Sequence, residues 1–497
     1  MCKKSKKNAE ARKIIVMGKS LAKNSIYNVV YKGFTALFPL ITTTYISRAL
    51  LAEGVGKVNY ASTIVSYIAV IAALGLPQYG IKIIARNFSV KDKSKAFSEL
   101  FFINLCSSIV CVIAYYSLIN FWGYFSEKRF LLNVMGIQLI LNVFNIDWFY
   151  QGIEEYKYIA TRSIIIKILS FIAMLIFVQN TSDYVKYGFI LCMATAGNYI
   201  LNVWNLRNKV KLTLKNVDLK QHLKPVFVLL ASTLATEIYT MLDTLMIEHF
   251  HGDAYVGYYS NSVKIVRLVH TLAIALVAPF YPRISLYLKE KKSEDVNQLL
   301  MLGLRIILVV SIPCVIGIEF LADSIVPVLF GESFMEATTT LEILSPLIII
   351  FSIAYFLGHL ILMATNNESK ILIATVFGAI VNFCINMFLI PVYKHNGAAI
   401  ASVIAELLIT IILISYSHKF FRIVLKKSYV FSMLISSVLM GAVVYVSRII
   451  SIGVILGLFM SLVSGFLSYL VFLFLLKNDI ILLFVNKLLN RSEIKNE

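Results

Sequence analysis

Acidic residues are scarce in this chain. Only 27 of 497 residues are Asp or Glu, against 46 Lys or Arg, and charged residues of both signs make up 15% of the sequence. With 59% hydrophobic residues and a mean hydropathy of +0.80, the composition excludes a water-soluble globular protein. Long polar stretches are missing too. The longest gaps between apolar runs, about 206–224 and 321–339, leave no room for an extramembrane domain that could hold an active site. The six cysteines (Cys2, Cys106, Cys111, Cys192, Cys314, Cys384) lack metal or redox spacing, and five lie in or beside apolar runs, where they read as small buried hydrophobes. His249 and His251 lack carboxylate or cysteine company and read as part of an outer turn. No nucleotide-binding loop, cofactor motif or catalytic constellation occurs, so the sequence is not that of an enzyme, and no cofactor or metal is expected.

What is present is a series of about fourteen apolar runs, most near or above the ~20 residues needed to cross the hydrocarbon. The expected fold class is all-α and integral to the membrane. Lys and Arg fall into alternate gaps. With the N-terminus on the cytoplasmic side, 34 lie on that side and 7 on the other, and Lys32, Lys167, Lys264, Arg267 and Arg305 lie inside spans. A parse wrong by one span would scramble this asymmetry, so both termini are expected in the cytoplasm. The basic tail 1–23 has no apolar segment with a small-residue cleavage site and reads as retained rather than as a signal peptide. The net charge of +19 then faces an anionic leaflet, not nucleic acid.

The sequence repeats its own grammar. Ala52-Glu53-Gly54-Val55-Gly56 with Tyr60 after the first span matches Gly252-Asp253-Ala254-Tyr255-Val256-Gly257 with Tyr259 after the seventh. A proline follows each glycine turn by some 21–22 residues, Pro77 and Pro279. Gly188 and Gly397 mark a second echo. The expected organisation is a basic tail 1–23, a first six-helix lobe 24–210, a linker 211–224 and a second lobe 225–418. Two further helices (419–476) and a cytoplasmic tail (477–497) complete it. Paired repeats around a polar site suit an alternating-access carrier.

A charge at the centre of a membrane helix costs roughly 2.5–3.5 kcal/mol on insertion scales, so deep charges mark polar surroundings. Lys32 shares a face with Asn28 and Thr35, Lys167 with Ser163 and Ser170, and Lys264 with Arg267 three residues on. Such cations suit an anionic substrate, and guanidinium suits phosphate oxygens. Glu237, Asp243 and Glu406 are the candidates for ion coupling, with neutralisation of Lys264 by Glu237 left open. Asp147, Glu248 and Arg305 lie close enough to an interface to snorkel.

Several stretches resemble bacterial polysaccharide repeat-unit flippases, a branch of the multidrug/oligosaccharidyl-lipid/polysaccharide exporter superfamily. They are Tyr45 to Leu51 with Gly54-Val55-Gly56, Gly75 to Gly80 with Ala85-Arg86, and Leu242-Asp243-Thr244 with Val256 to Tyr259. Phe280 to Ile284 is another, and the most specific is Asp147-Trp148-Phe149-Tyr150-Gln151-Gly152-Ile153-Glu154. The resemblance implies two lobes around a central cavity. It implies transfer of undecaprenyl-pyrophosphate-linked oligosaccharide from the inner to the outer leaflet of the bacterial cytoplasmic membrane, for O-antigen, capsule or exopolysaccharide assembly. A polysaccharide polymerase and a chain-length regulator would be partners in the same membrane. In related lipid flippases cavity cations lie on the first, second and eighth helices; here Lys32, Lys264 and Arg267 stand on the first and eighth. Arg48 and Lys167 join them as candidates, and Asp147, Trp148, Gln151, Gly152 and Glu154 mark the family motif. A multidrug or metabolite antiporter of the same superfamily would be expected to hold acidic cavity residues. A membrane polymerase or ligase would be expected to carry a large outer loop.

Overall fold

Lipid offers no hydrogen-bonding partner to a bare peptide group, so an apolar chain that enters it must satisfy its own backbone, and here it does so by helices. The computed structural model describes the backbone of residues 2–86, 89–207, 209–213, 217–421, 426–450 and 453–482. Side chains are described from Leu37 onward, those at 232, 235, 236 and 238–240 excepted. Every regular element among the described residues is helical. Among the described residues ten helical segments are long and apolar enough to cross a membrane, or eleven if α9 (Asp253–Ala275) and α10 (Phe280–Lys289), bent by 46°, count as one span. Two of the ten, 37–86 and 368–417, are fifty residues long and turn inside, at Leu51 (φ 56°) and Lys394 (φ 56°). Dividing both and adding α8 (Lys220–His251) accommodates the fourteen crossings read from the sequence.

The chain separates into two compact units, one comprising 1–50 and 57–237, the other 51–56 and 238–497. The first holds most of α1 (Cys2–Ala73), then α2 (Leu76–Arg86), α3 (Val90–Phe121), α4 (Arg129–Leu141), α5 (Asp147–Gly152), α6 (Tyr156–Phe177) and α7 (Tyr184–Leu206). Ser89 caps α3 by accepting from the Asp92 N–H at 3.0 Å. The core of this unit is aromatic: Phe97 stacks on Trp148 at 5.5 Å and meets Phe149 edge-on, with Leu76, Ile84, Leu100 and Val226 around them.

The division between units falls at Glu237/Ile238, inside α8. The cause is a strap of hydrogen bonds that ties the linker to α3. Lys211 N donates to Ser94 Oγ (3.2 Å), Thr213 N to Ser98 Oγ (2.9 Å) and Asp218 N to Glu99 Oε1 (2.9 Å). His222 bridges Glu99 (3.0 Å) and the Tyr79 hydroxyl (2.9 Å). The opening turns of α8 therefore belong to the first unit, where Leu229 and Leu230 close on Gly75 (φ 73°) so tightly that a Cβ there would lie 2.8 Å from them.

The second unit contains the rest of α8, α9, α10, α11 (Ser293–Phe330), α12 (Ala337–Leu344), α13 (Leu347–Tyr355), a π-helix (Phe356–Met363) and α14 (Glu368–Ser417). α15 (Lys427–Ile450) and α16 (Val454–Leu475) pack on α11 through Leu321, Met440, Val444 and Tyr469. The outer gap expected at 321–339 shrinks, because α11 runs on to Phe330: Val326 and Phe330 continue its buried apolar face. The repeat has a backbone signature in the second unit, at the segment 51–56 and the start of α9. Leu51 and Gly252 share an unusual conformation (φ 56°, ψ −177° and φ 87°, ψ −176°), which only glycine adopts freely. Five residues on, Gly56 lies against the Asp253 carbonyl and Gly257 against the Ala52 carbonyl. Neither position has room for a Cβ. The breaks at Leu74–Gly75 and at Leu276–Pro279 complete the correspondence.

Candidate substrate and ion-coupling sites

Asp147 opens α5, and its neighbourhood is built from α6 and α7. Arg162, one turn and a half into α6 and only 4% exposed, donates from Nη2 to both Asp147 oxygens at 3.0 and 3.2 Å. Its Nη1 reaches Asn202 Oδ1 and the Asn198 carbonyl (3.3 Å), and Asn202 Nδ2 donates to Asp147 Oδ1 at 2.6 Å. Asp147 is thus held in an ion pair rather than snorkelling. Sequence counting treated Arg162 as a gap residue and missed this pair. The rest of the motif fastens helices together. Trp148 lies over Gly80, where a Cβ would sit 2.4 Å from the ring, and Gly152 lies against Ile84. Gln151 accepts the Glu154 N–H at 3.0 Å as Glu154 turns through φ 60°, exposed. These residues position α2 against α5.

Of the candidate cations, the Lys32 side chain lies outside the described residues. Arg48 is exposed beside the Leu51 break. Lys167 is half-buried, with its ammonium 5.7 Å from the Phe38 ring centre, on the same side of α6 as the buried Ser163 and Ser170. Lys264 donates to Asn261 Oδ1 at 3.3 Å, one turn before the exposed Arg267 on the same face of α9. Among the described residues none of Lys167, Lys264 and Arg267 is in an ion pair. Arg305 contrasts with them: it lies 3.5 Å from Asp479 and over the Tyr429 ring.

Asp243, on α8, sits in a different setting. It is 4% exposed and ringed by neutral donors. Asn386 Nδ2 donates to Oδ1 at 2.7 Å, Ser402 Oγ donates to Oδ2 at 2.7 Å, and the Tyr259 hydroxyl donates to Oδ2 as well. Asn386 also donates to Asn382 Oδ1 (3.0 Å), while Asn386 Oδ1 and Asn382 Nδ2 are buried without a partner among the described residues. No Lys or Arg among them pairs with Asp243. Glu406, also buried, is one turn from Ser402 on α14, and Glu237 is half-buried in α8. Ser402, Asn382 and Asn386 escaped the sequence reading, and Tyr259 entered it only through the repeat and the family resemblance; two asparagines four apart in an apolar run were the available signal.

Long apolar helices enclosing buried polar clusters define a multi-pass membrane protein. The chain belongs to the family described as "Polysaccharide biosynthesis protein", which matches residues 21–288, and residues 229–391 also match the MatE family. The "Putative O-antigen transporter" of Escherichia coli (strain K12) is 26% identical over 416 residues, covering 80% of this chain and 96% of the relative. The "Capsular polysaccharide biosynthesis protein CapF" of Staphylococcus aureus is 24% identical over 414 residues, covering 81% and 100%. Among solved structures, "Lipid II flippase MurJ, inward closed conformation" superposes with a TM-score of 0.76 at 14% identity, over 93% of this chain and 100% of that one. An inward-facing multidrug resistance MATE family transporter gives 0.61 at 14% identity, over 79% and 97%. At that identity the likeness is one of fold.

Proposed function

We propose that this protein is a flippase for lipid-linked oligosaccharides, carrying undecaprenyl-pyrophosphate-linked repeat units from the inner to the outer leaflet of the bacterial cytoplasmic membrane. Its product would feed O-antigen, capsule or exopolysaccharide assembly, with a polymerase and a chain-length regulator as neighbours in that membrane. Both termini face the cytoplasm in this reading, as the Lys/Arg bias requires. The observation that carries it is the Lys264/Arg267 pair, two cations in mid-span on one helical face with no carboxylate paired to them among the described residues. A pyrophosphate and its sugars cannot enter hydrocarbon without replacement of their hydration. Ammonium and guanidinium groups replace it, and Lys167 and Arg48 are the further candidates, with Lys32 on the first helix. The polyprenyl tail stays in lipid while the headgroup is exposed alternately to the two sides.

With no nucleotide-binding loop in the sequence, the driving force would come from an ion gradient, the membrane potential or substrate supply. Asp243 is the proposed coupling site. One carboxylate, two amide groups and two hydroxyls supply hard oxygen donors suited to a proton or a monovalent cation. Glu406 and Glu237 are secondary candidates.

The test is replacement of Lys264 and Arg267 by Ala, singly and together, in cells dependent on this gene. Surface polysaccharide should be lost while the protein remains inserted; wild-type polymer in the double variant would refute the assignment. The MatE match over 229–391 supports a second reading, a multidrug or metabolite antiporter. That reading predicts drug sensitivity on deletion with polymer unchanged.

A further inference from the structure

We propose that the first unit carries a binding site for an anionic glycerophospholipid, in a furrow between α6 and α7 that the transport reading does not use. At the end of the furrow that the Lys/Arg bias assigns to the cytoplasm is a cavity of about 500 Å³. Its walls include Tyr158, Thr161 and Arg162 from α6, with Trp204, Asn205 and Arg207 from the end of α7. Both guanidinium groups lie over aromatic rings, Arg207 over Trp204 and Arg162 over Tyr158, each 5.6 Å from the ring centre. The Tyr158 hydroxyl donates to the Leu201 carbonyl at 2.7 Å, which fixes the two helices on either side of the opening.

The charge left over in this cavity is positive. Arg162 is neutralised by Asp147 and gives its Nη groups to Asp147, Asn202 and Asn198, so the remaining charge is that of Arg207. Arg207 is exposed, and no carboxylate among the described residues pairs with it. A phosphate oxygen is what Arg207 lacks.

The surroundings select a lipid over a soluble anion. The cavity opens beside the exposed apolar side chains Ile165, Ile200 and Val203, with the Trp204 ring 59% exposed at its lip. An aromatic next to a cation at the edge of an apolar face is the pattern of the membrane interface. Further along the same two helices lies an apolar groove of about 630 Å³, walled by Ile166, Leu169 and Ala173 against Phe189, Met193 and Ala194. A phosphodiester at Arg207 would thus find an apolar groove along the same two helices for its acyl chain. Neither Arg207 nor Trp204 belongs to the Asp243 or Lys264/Arg267 sites, so the proposal stands or falls separately from the transport reading.

Native mass spectrometry of the full chain, released from detergent, tests it. Phosphatidylglycerol should remain bound at lower added concentration than phosphatidylcholine of the same chains. Arg207→Gln should weaken phosphatidylglycerol retention by about fivefold, the factor for one basic residue at an anionic surface. Lys157→Gln, which removes an exposed charge from the same membrane side outside the cavity, should leave retention unchanged. Trp204→Ala should weaken retention as well. Millimolar inorganic phosphate should not displace the lipid. Equal retention of the two lipids, equal behaviour of the Arg207 and Lys157 variants, or displacement by inorganic phosphate would each overturn the proposal.

Discussion

Asp147 in the first unit and Asp243 in the second are both carboxylates on membrane helices, yet they are satisfied in opposite ways. Asp147 holds a guanidinium by two hydrogen bonds and so presents a neutral pair to its surroundings. Asp243 has only hydroxyl and amide donors, and keeps whatever charge it carries. An ion pair of the first kind fixes helices relative to one another. A carboxylate of the second kind is able to take up and release a cation. The same residue type therefore does structural duty in one unit and is the proposed coupling group in the other.

Substitution should separate the two roles. The largest effect on stability is expected from Asp147→Ala, which strands Arg162 in a buried site; loss of one partner of a buried pair costs about 3–5 kcal/mol, and the partial exposure of Asp147 favours the lower end. Thermal unfolding of the purified protein would read this, and Arg162→Met added to Asp147→Ala should restore part of it. If the single variant unfolds like wild type, the pair is not what binds α5 to α6.

Next is Gly257→Ala, whose Cβ would fall 2.2 Å from the Ala52 carbonyl oxygen. Overpacking of this kind costs roughly 1–3 kcal/mol. Gly317→Ala, which meets nothing within 4 Å, supplies the control.

Smallest in stability is Asp243→Asn, because the Tyr259 and Ser402 hydroxyls can rotate to accept from the new amide; a change below about 1 kcal/mol is expected, the worth of one net hydrogen bond. Its effect on transport should be the reverse. Headgroup transfer into vesicles should no longer respond to an imposed proton or sodium gradient. A response as steep as wild type would remove Asp243 from the coupling site and erase the contrast with Asp147.

Much of the fold was legible in the sequence because lipid imposes a single rule on every segment, a sufficient apolar length. The repeat was legible through glycines, since Gly56 and Gly257 sit where backbones touch. The strap at Ser94, Ser98 and Glu99 was not, because it joins residues more than a hundred positions apart, and polar residues beside a basic linker look like any interfacial loop. At the sites, Asp243, Lys264 and Arg267 stood out as charges in apolar runs. Their neutral partners did not: serine, asparagine and tyrosine are tolerated in membrane helices for many reasons, and only three-dimensional convergence gives them meaning. Arg162 was hidden by its position, a turn and a half inside a helix whose start is polar.

In a two-fold dimer, a patch that meets its own copy repeats every change on both sides, since one gene writes both. At the Gly56/Gly257 crossing a single chain reproduces such a self-complementary patch from two separately encoded segments. The two halves can differ in sequence, but not independently: a Cβ at Gly56 would also lie 3.1 Å from Gly257 N, so a change at one glycine presses on the other. Encoding the two sides separately gives this protein a symmetric contact whose halves need not match in sequence.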